Sequence, residues 1–519
     1  MCQKEVCPLL ILKDVTIKDQ KNHILLDKFN YSLGNEDKVG IIGEEGNGKS
    51  TLLKAIYNTK QIEDYAEVSG TIITDMKHIG YFEQQLNDKW QESYVYEYVL
   101  KNDVADIIEA EDYNRLKEFE QLCHQVHLDA TCLTSEQKIK TLSGGEKVKL
   151  QLIKLLASHP ELLLFDEPTN DLDIETLEWL EQFIVQQTIP VIFISHDETL
   201  LEHAANVIIH LEQRNKKTKC VHTIYRGTYQ EYVNSRAMKL NKEAALASKE
   251  QLEYQKKMIK LNDMRNAVHD ALNDTVRNPS MGQLLKKKMK NIKALENRHE
   301  RDGVHKVDTV EEAIDVYFEA TPLPAAKIVM QYQLKELRIQ ERILLQDVDL
   351  LIKGQAKVVI TGRNGCGKSL LLKRLYEEIK LRDDLKVGYM PQAYAQCFQE
   401  HETPIQFLLE EGDQKDVTRA RELLGRMKFT SDEMIHSLME LSEGQKAKVY
   451  LLRFIKTNCN VLLLDEPTRN LSPLTNPLLR QILKEFKGCI LAVSHDRKFI
   501  EEVFTTRYQI VGQRLIRWK

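Results

Sequence analysis

An α/β fold built twice is what this sequence predicts: two parallel-sheet domains, each with a helical subdomain, joined by a long α-helical hairpin. Three observations predict it. One ordered set of glycine-rich, acidic and Ser-His-Asp motifs occurs twice, with Lys49 and Lys368 about 320 residues apart. Members of each set stand at the ends of short, continuous apolar runs of the kind that form buried parallel strands. Between the two sets lies a stretch rich in helix formers, free of glycine and proline over residues 234–266. A chain of 519 residues is long enough for two large cores and an element between them. The expected limits are 1–232 for the first domain, with its helical subdomain at about 86–160, then 233–325 for the hairpin, with its tip at about 268–285, and 326–519 for the second domain.

The first glycine loop reads Gly43, Glu44, Glu45, Gly46, Asn47, Gly48, Lys49, Ser50 and is followed by Thr51. The second reads Gly362, Arg363, Asn364, Gly365, Cys366, Gly367, Lys368, Ser369. Each follows an apolar run and precedes a helix-like one, which is the strand, loop and helix context that GxxxxGK[ST] requires. Glycines let the backbone N–H groups and the helix N-terminus close around phosphate oxygens. Lys49 and Lys368 are expected to neutralise the β and γ phosphates, and the hydroxyls of Ser50 and Ser369 to ligate Mg²⁺.

The apolar runs 162–165 and 461–464 each end in Asp-Glu-Pro-Thr. Adjacent carboxylates at a strand end suit a division of labour: Asp166 and Asp465 for the metal shell, Glu167 and Glu466 to orient or deprotonate the attacking water. Two further runs lead to Ser195-His196-Asp197 and Ser494-His495-Asp496. Either His could meet the γ-phosphate or the water, and on its own would read equally well as a satisfied core histidine. Gln84 and Gln392 follow Tyr-x-x motifs upstream and could reach the metal. Between these elements lie Leu-Ser-Gly-Gly-Glu-Lys from Leu142 and Leu-Ser-Glu-Gly-Gln-Lys from Leu441, each a good helix N-cap.

In this order, twice, the motifs resemble the ATP-binding cassette (ABC) superfamily over both halves. In that family two cassettes face head to tail and each ATP lies between the phosphate loop of one and the Leu-Ser-Gly-Gly segment of the other. The resemblance implies a first site pairing Lys49, Ser50, Gln84, Asp166, Glu167 and His196 with Ser442, Glu443 and Gly444. The second would pair Lys368, Ser369, Gln392, Asp465, Glu466 and His495 with Ser143, Gly144 and Gly145. ATP then closes the halves and hydrolysis lets them part. Magnesium ligands would be Ser50, Gln84 and Asp166, and Ser369, Gln392 and Asp465; with both Glu present, hydrolysis is expected at both sites.

Three departures from the family pattern stand out. Glu443 replaces the first signature glycine and brings a carboxylate toward the first triphosphate, which is expected to weaken that site if it faces in. The acidic loop Asn170-Asp171-Leu172-Asp173 becomes Arg469-Asn470-Leu471-Ser472-Pro473 in the second half. Where an aromatic often stacks on adenine, the chain has Gln20 and Ile339.

No run approaches the roughly 20 apolar residues that span a bilayer, and the N-terminus lacks a signal-peptide pattern. Nine cysteines without a Cys-x-x-Cys pair fit reduced thiols, so a cytoplasmic protein is expected. The net charge of −5 conceals a basic segment: residues 233–305 hold 16 Lys and Arg against 9 Asp and Glu. Helices are expected at about 234–266 and about 281–301, with Lys286, Lys287, Lys288, Lys290 and Lys293 crowded in the second. Five lysines in eight residues make a poor structural helix and a good phosphate-backbone contact.

Tandem cassettes without a membrane span, separated by a basic helical linker, resemble the ABC-F family of translation factors. There the cassettes bind the ribosomal E site and the linker reaches the P-site tRNA and the peptidyl transferase centre. Leu-Ser-Glu-Gly-Gln and Thr-Arg-Asn-Leu-Ser-Pro further resemble the branch that protects Gram-positive ribosomes from lincosamides, pleuromutilins and streptogramin A compounds. That resemblance implies rRNA and P-site tRNA as partners, ATP and Mg²⁺ as cofactors, and a monomer whose own cassettes pair. Two other readings stay open: a housekeeping translation factor of the same family, and the soluble motor of a transporter. Only nine residues separate the lengths of 84–143 and 392–442, so no arm insertion is expected, nor a C-terminal extension beyond the 24 residues after His495. Val268, Leu272, Val276, Met281, Leu284 and Leu285 near the tip would pack on RNA or on one another.

Overall fold

The computed structural model describes residues 9–518 except 84–85, 110–111, 170–171, 215–218, 275–278, 303–317, 319–321, 340–341, 394–396, 410–412, 428 and 470. The chain separates into two compact units, one formed by 1–229 with 310–519 and the other by 230–309.

The first half opens with antiparallel β1 (Leu10–Asp19) and β2 (Ile24–Leu33), then β3 (Lys38–Ile42), whose five residues are all buried, and α1 (Lys49–Tyr57). β4 (Ala66–Thr74) pairs with β1, and β5 (Ile79–Phe82) returns to the main sheet. The helical part follows with α2 (Val95–Leu100), α3 (Leu116–Gln125) and α4 (Gly144–Leu156), around Trp90, Phe119, Cys123, Ile139 and Leu150. β6 (Leu162–Asp166), α5 (Ile174–Gln186), β7 (Val191–Ile194), α6 (Glu198–Ala204), β8 (Val207–Arg214) and β9 (Lys219–Arg226) complete it. The sheet order is β5-β6-β7-β3-β8-β9, parallel except for the β8–β9 hairpin.

In the second unit, α7 (Tyr229–Asp274) begins one residue before the unit itself and α8 (Pro279–Asp302) returns. Both helices run closer to the turn than the sequence pattern implied, because Leu261, Val268 and Ile292 form a small core flanked by Met258, Leu272, Leu285 and Met289. Val268, Leu272 and Leu285 therefore pack on one another, while Leu284 is exposed. Val276 lies outside the described residues, as does the side chain of Met281. The five clustered lysines are all exposed.

The second half repeats the pattern: β10 (Ile328–Ile339), β11 (Arg342–Lys353), β12 (Lys357–Gly362), α9 (Lys368–Ile379) and β13 (Val387–Met390). After α10 (Pro404–Leu408), α11 (Gln414–Arg426) and α12 (Glu443–Lys456) come β14 (Val461–Asp465), α13 (Asn476–Glu485), β15 (Cys489–Val493), α14 (Arg497–Val503), β16 (Thr506–Val511) and β17 (Arg514–Trp518). Its parallel core runs β13-β14-β15-β12-β16, the same order as β5-β6-β7-β3-β8. Because β6, β7 and β3 are neighbours, as are β14, β15 and β12, the loops at their carboxyl ends converge at one edge of each sheet. All the chemistry-bearing motifs except the two Leu-Ser segments leave that edge.

Candidate functional site

The first glycine loop joins β3 to α1, with Gly43, Gly46 and Gly48 at φ of 149, 83 and 81°. A Cβ on Gly43 would stand 2.2 Å from the Leu211 carbonyl oxygen, so only glycine fits. Asn47 donates to that same carbonyl at 3.1 Å and anchors the loop to β8. The Lys49 ammonium curls over the loop, donating to the carbonyls of Gly43 at 2.8 Å and Glu44 at 3.0 Å. Burial pushes its pKa down, against the attraction of Glu167, Glu44, Glu45 and Asp166. Ser50 Oγ donates to Asp166 Oδ1 at 2.8 Å, and Thr51 continues the first turn of α1. Tyr81 OH donates to the other Asp166 oxygen at 3.0 Å. Burial raises the Asp166 carboxyl even so.

Glu167 and Glu466, directly after β6 and β14, sit at φ of 49 and 51°, the left-handed region that a non-glycine residue occupies only when its surroundings impose it. His196 Nε2 is 3.3 Å from Glu167 Oε1, and its Nδ1 lies 2.8 Å from the carbonyl oxygen of Leu471, in the other half. Gln84 lies outside the described residues, as do Asn170, Asp171 and Asn470.

The second loop joins β12 to α9 in the same way, with Gly362, Gly365 and Gly367 at φ of 149, 73 and 99°. Lys368 donates to the carbonyls of Gly362 at 2.9 Å and Arg363 at 3.0 Å and lies 3.5 Å from Asn364 Oδ1; Ser369 Oγ donates to Asp465 Oδ1 at 3.0 Å. Cys366 is partly buried, which raises its thiol. Burial raises Asp465 to about 6, while burial and then the Asp465 charge raise Glu466 to about 8. His495, held down to about 3 by burial and then by Lys368, is 3.8 Å from Glu466 through Nε2. Unlike His196, its ring nitrogens have no hydrogen-bond partner among the described residues.

A cavity of about 510 Å³ opens over this second loop. Its walls include Gly365, Lys368, Ser369, Gln392, Glu466 and His495 from the second half and Gly144 from the first. Ile339 lines it as well, so an aliphatic side chain stands where stacking was expected. Gln20 is tied to the Asp64 carbonyl at 2.5 Å.

Across the first loop the halves meet differently. Gly444 N–H, at the start of α12, donates to Glu45 at 3.2 Å. Glu44 accepts from Ser472 at 3.0 Å and Thr475 at 2.7 Å, with Lys448 Nζ 3.8 Å away. Glu443 turns to Lys446 on its own helix at 2.7 Å, which neutralises the carboxylate expected to oppose a triphosphate there. Ser143 and Ser442 cap α4 and α12 by reciprocal bonds with Glu146 and Gln445. Gly145 leaves room for Thr176, whose Oγ1 a Cβ would approach to 2.6 Å.

Sequence reasoning missed the phenol of Tyr81 on Asp166, the capture of Glu44 and Glu45 by the opposite half, and the pairing of Glu198 with Arg480. The one signal it held was the contrast between repeats: Asp197-Glu198 follows His196, whereas Asp496-Arg497 follows His495.

Two phosphate loops, each with a hydroxyl on a strand-end carboxylate and a second carboxylate beside a histidine, define a tandem nucleotide hydrolase. The family model described as ABC transporter matches residues 26–170 and 345–469, just over half of the chain. The chain therefore belongs to the ABC family and is an ATP-hydrolysing enzyme. One relative, ATP-binding protein Uup of Buchnera aphidicola subsp. Schizaphis graminum, is 29% identical over 98% of this chain and 82% of its own. ABC transporter F family member 2 of Arabidopsis thaliana is 26% identical over 95% and 73%. Among solved structures, the complex of archaeal ribosomal stalk protein aP1 and ribosome recycling factor aABCE1 superposes with a TM-score of 0.58 at 17% identity, covering 97% of this chain and 89% of that one. This likeness concerns the fold of two ABC domains. Among the described residues no helix is long and apolar enough to cross a membrane.

Proposed function

We propose that this ATPase binds the ribosome and protects it from antibiotics of the peptidyl transferase centre. In this reading the cassettes (1–232 and 326–519) close on two ATP molecules in the E site and the linker (233–325) extends toward P-site tRNA and rRNA. The observation that carries it is the helical hairpin between two cassettes, with Lys286, Lys287, Lys288, Lys290 and Lys293 exposed on α8. Such a run matches a phosphate backbone better than it matches protein. One fold neighbour is titled a ribosome recycling factor, which supports the ribosome as the partner.

The roles proposed for the site residues follow the geometry. Lys49 and Lys368 hold the terminal phosphates, and Ser50 with Asp166, and Ser369 with Asp465, offer converging oxygens that suit Mg²⁺, which takes few protein ligands when phosphates supply others. Gln392, and Gln84 outside the described residues, would complete those shells. Mg²⁺ held there would neutralise charge on the transferring phosphoryl group. Glu167 and Glu466 orient the water, with His196 and His495 beside them, and Gly444 and Gly144 present helix N-termini from the opposite cassette. At the first site ATP must displace Glu45 from the Gly444 amide.

The test is co-sedimentation of a Glu167→Gln, Glu466→Gln double variant with ribosomes in the presence of ATP, followed by drug susceptibility of a sensitive strain expressing the wild type. Failure to co-sediment rejects ribosome binding. Co-sedimentation with unchanged lincosamide and pleuromutilin susceptibility replaces protection by a housekeeping role in translation.

A further inference from the structure

The ion pairs that join the two cassettes point one way. Glu198, at the start of α6, grips Arg480 of α13 with both oxygens, at 2.5 and 3.0 Å, and both side chains are almost fully buried. Arg497, the first residue of α14, reaches Glu181 at 2.7 Å and Asp197 at 3.2 Å. Lys498 stands 3.5 Å from Glu198 and pairs with Glu202. At the phosphate loops Arg363 meets Glu175 at 3.0 Å and Lys448 faces Glu44 at 3.8 Å. In each of these pairs the carboxylate belongs to the first cassette and the cation to the second.

The whole cassettes share the bias. Residues 1–232 carry 24 Lys and Arg against 39 Asp and Glu, whereas 326–519 carry 32 against 25. The contrast is sharpest at equivalent positions after the two Ser-His-Asp motifs, where Glu198 of one repeat corresponds to Arg497 of the other.

We infer that this surface is a pairing code, and that the partner it fits is a cassette of the opposite polarity. Head-to-tail repeats of one fold can in principle pair first with first, second with second, or first with second, within a chain or between chains. Two first cassettes would set Glu198 against Glu181, the counterpart of Arg480, and two second cassettes would set Arg497, the counterpart of Glu198, against Arg480, whose remaining partner is Glu502 of its own cassette. Like charges taken out of water without counter-charges are strongly disfavoured, so the cost of wrong pairing supplies the selectivity. Shape alone would not, because the two sheets share one strand order.

The experiment uses full-length chains. One variant carries Glu181→Arg, Glu198→Arg and Glu202→Arg, so that both cassettes are cationic at this surface; the other carries Arg480→Glu, Arg497→Glu and Lys498→Glu, so that both are anionic. Each alone is expected to be monomeric by sedimentation velocity, with ATP turnover at least tenfold below wild type. Mixed in equal amounts, they are expected to form a species of twice the mass with recovered turnover, weakened by 0.5 M salt. A chain carrying all six changes is expected to return to an active monomer. Circular dichroism and thermal melts establish that each variant is folded; where one is not, Glu198→Arg, Arg480→Glu and their combination ask the same question. Near-wild-type turnover of the separate variants with no heavier species on mixing, or no recovery in the combined reversal, overturns the inference.

Discussion

Thr176 and Thr475 occupy the same place in the two repeats, yet their hydroxyls do different work, and exchanging each for Val separates pairing of the cassettes from stability within one. Thr475 is fully buried and donates at 2.7 Å to Glu44, across the interface. Although it stands at the N-cap of α13, its side chain makes no capping bond; its hydroxyl also lies 3.1 Å from Ser472 Oγ, a local contact that Thr475→Val removes as well. A hydrogen bond to a charged group contributes about 1.5–3 kcal/mol. Ser472 and Lys448 remain near Glu44, which puts the loss at the low end, about 1.5–2 kcal/mol, or roughly 10- to 30-fold in the opening equilibrium. Thr176 instead donates to Asp173, the N-cap of its own helix, at 2.7 Å. Its loss should lower the melting temperature without loosening the interface. Hydrogen exchange of segments 43–48 and 441–446 in nucleotide-free protein reads the difference: faster in Thr475→Val, unchanged in Thr176→Val. The opposite pattern, or equal rates in both, refutes the reasoning.

Glu167→Gln and Glu466→Gln should each lower phosphate release, and the double change should reduce it by about 10²–10⁴, the usual yield of a general base; turnover persisting in the double variant removes these residues from the chemistry. His495 gives a pH signature in nucleotide-free, magnesium-free protein. Its folded value of about 3 lies below the unfolded value near 6.5, so its contribution is complete above about pH 6.5 and is lost as pH falls toward 3. By pH 5 the loss amounts to about 2 kcal/mol, so the wild-type melting temperature should fall more between pH 7 and 5 than that of His495→Gln, in which Lys368, Glu466 and Asp173 are unchanged. An equal fall would show that the histidine gains its proton freely in the fold. Replacing Lys286, Lys287 and Lys288 by Gln should weaken ribosome binding and flatten its dependence on salt, the slope falling by about 0.7–0.9 for each phosphate that is no longer neutralised; an unchanged slope places the RNA-binding surface elsewhere.

The parallel cores were legible because burial on both faces demands continuous apolar runs such as Leu162–Asp166, and the phosphate loops because their glycines stand at positive φ. Local geometry of this kind is written in consecutive residues. The length of the hairpin helices was less so: Val268 and Leu272 read equally well as a binding tip or a core until Ile292 is brought opposite them. Cross-cassette contacts were not legible from one repeat alone. Glu44 and Glu45 read as members of the phosphate-binding loop, and nothing near them in sequence announces Ser472, Thr475 or Gly444, each more than 390 residues away. The direction of Glu443 was open for the opposite reason: Lys446 lies one helical turn along and captures it.

The loop after β14, which lacks the acids of its counterpart, gains a different use from that loss. Three consecutive residues each engage the first cassette: the Leu471 carbonyl meets His196, the Ser472 hydroxyl meets Glu44, and the Pro473 carbonyl accepts from Tyr229 at 3.0 Å. An Asp in place of Ser472 would set a carboxylate against Glu44, and the contact would be repulsive rather than bonded. A proline at 473 fixes the backbone that aims its carbonyl. The three contacts lie on one short segment, and Tyr229 is the residue from which α7 begins. The second site has no such arrangement on its histidine, since both ring nitrogens of His495 stand without a hydrogen bond among the described residues. The two candidate sites thus hold like residues and differ in the contacts made by their histidines.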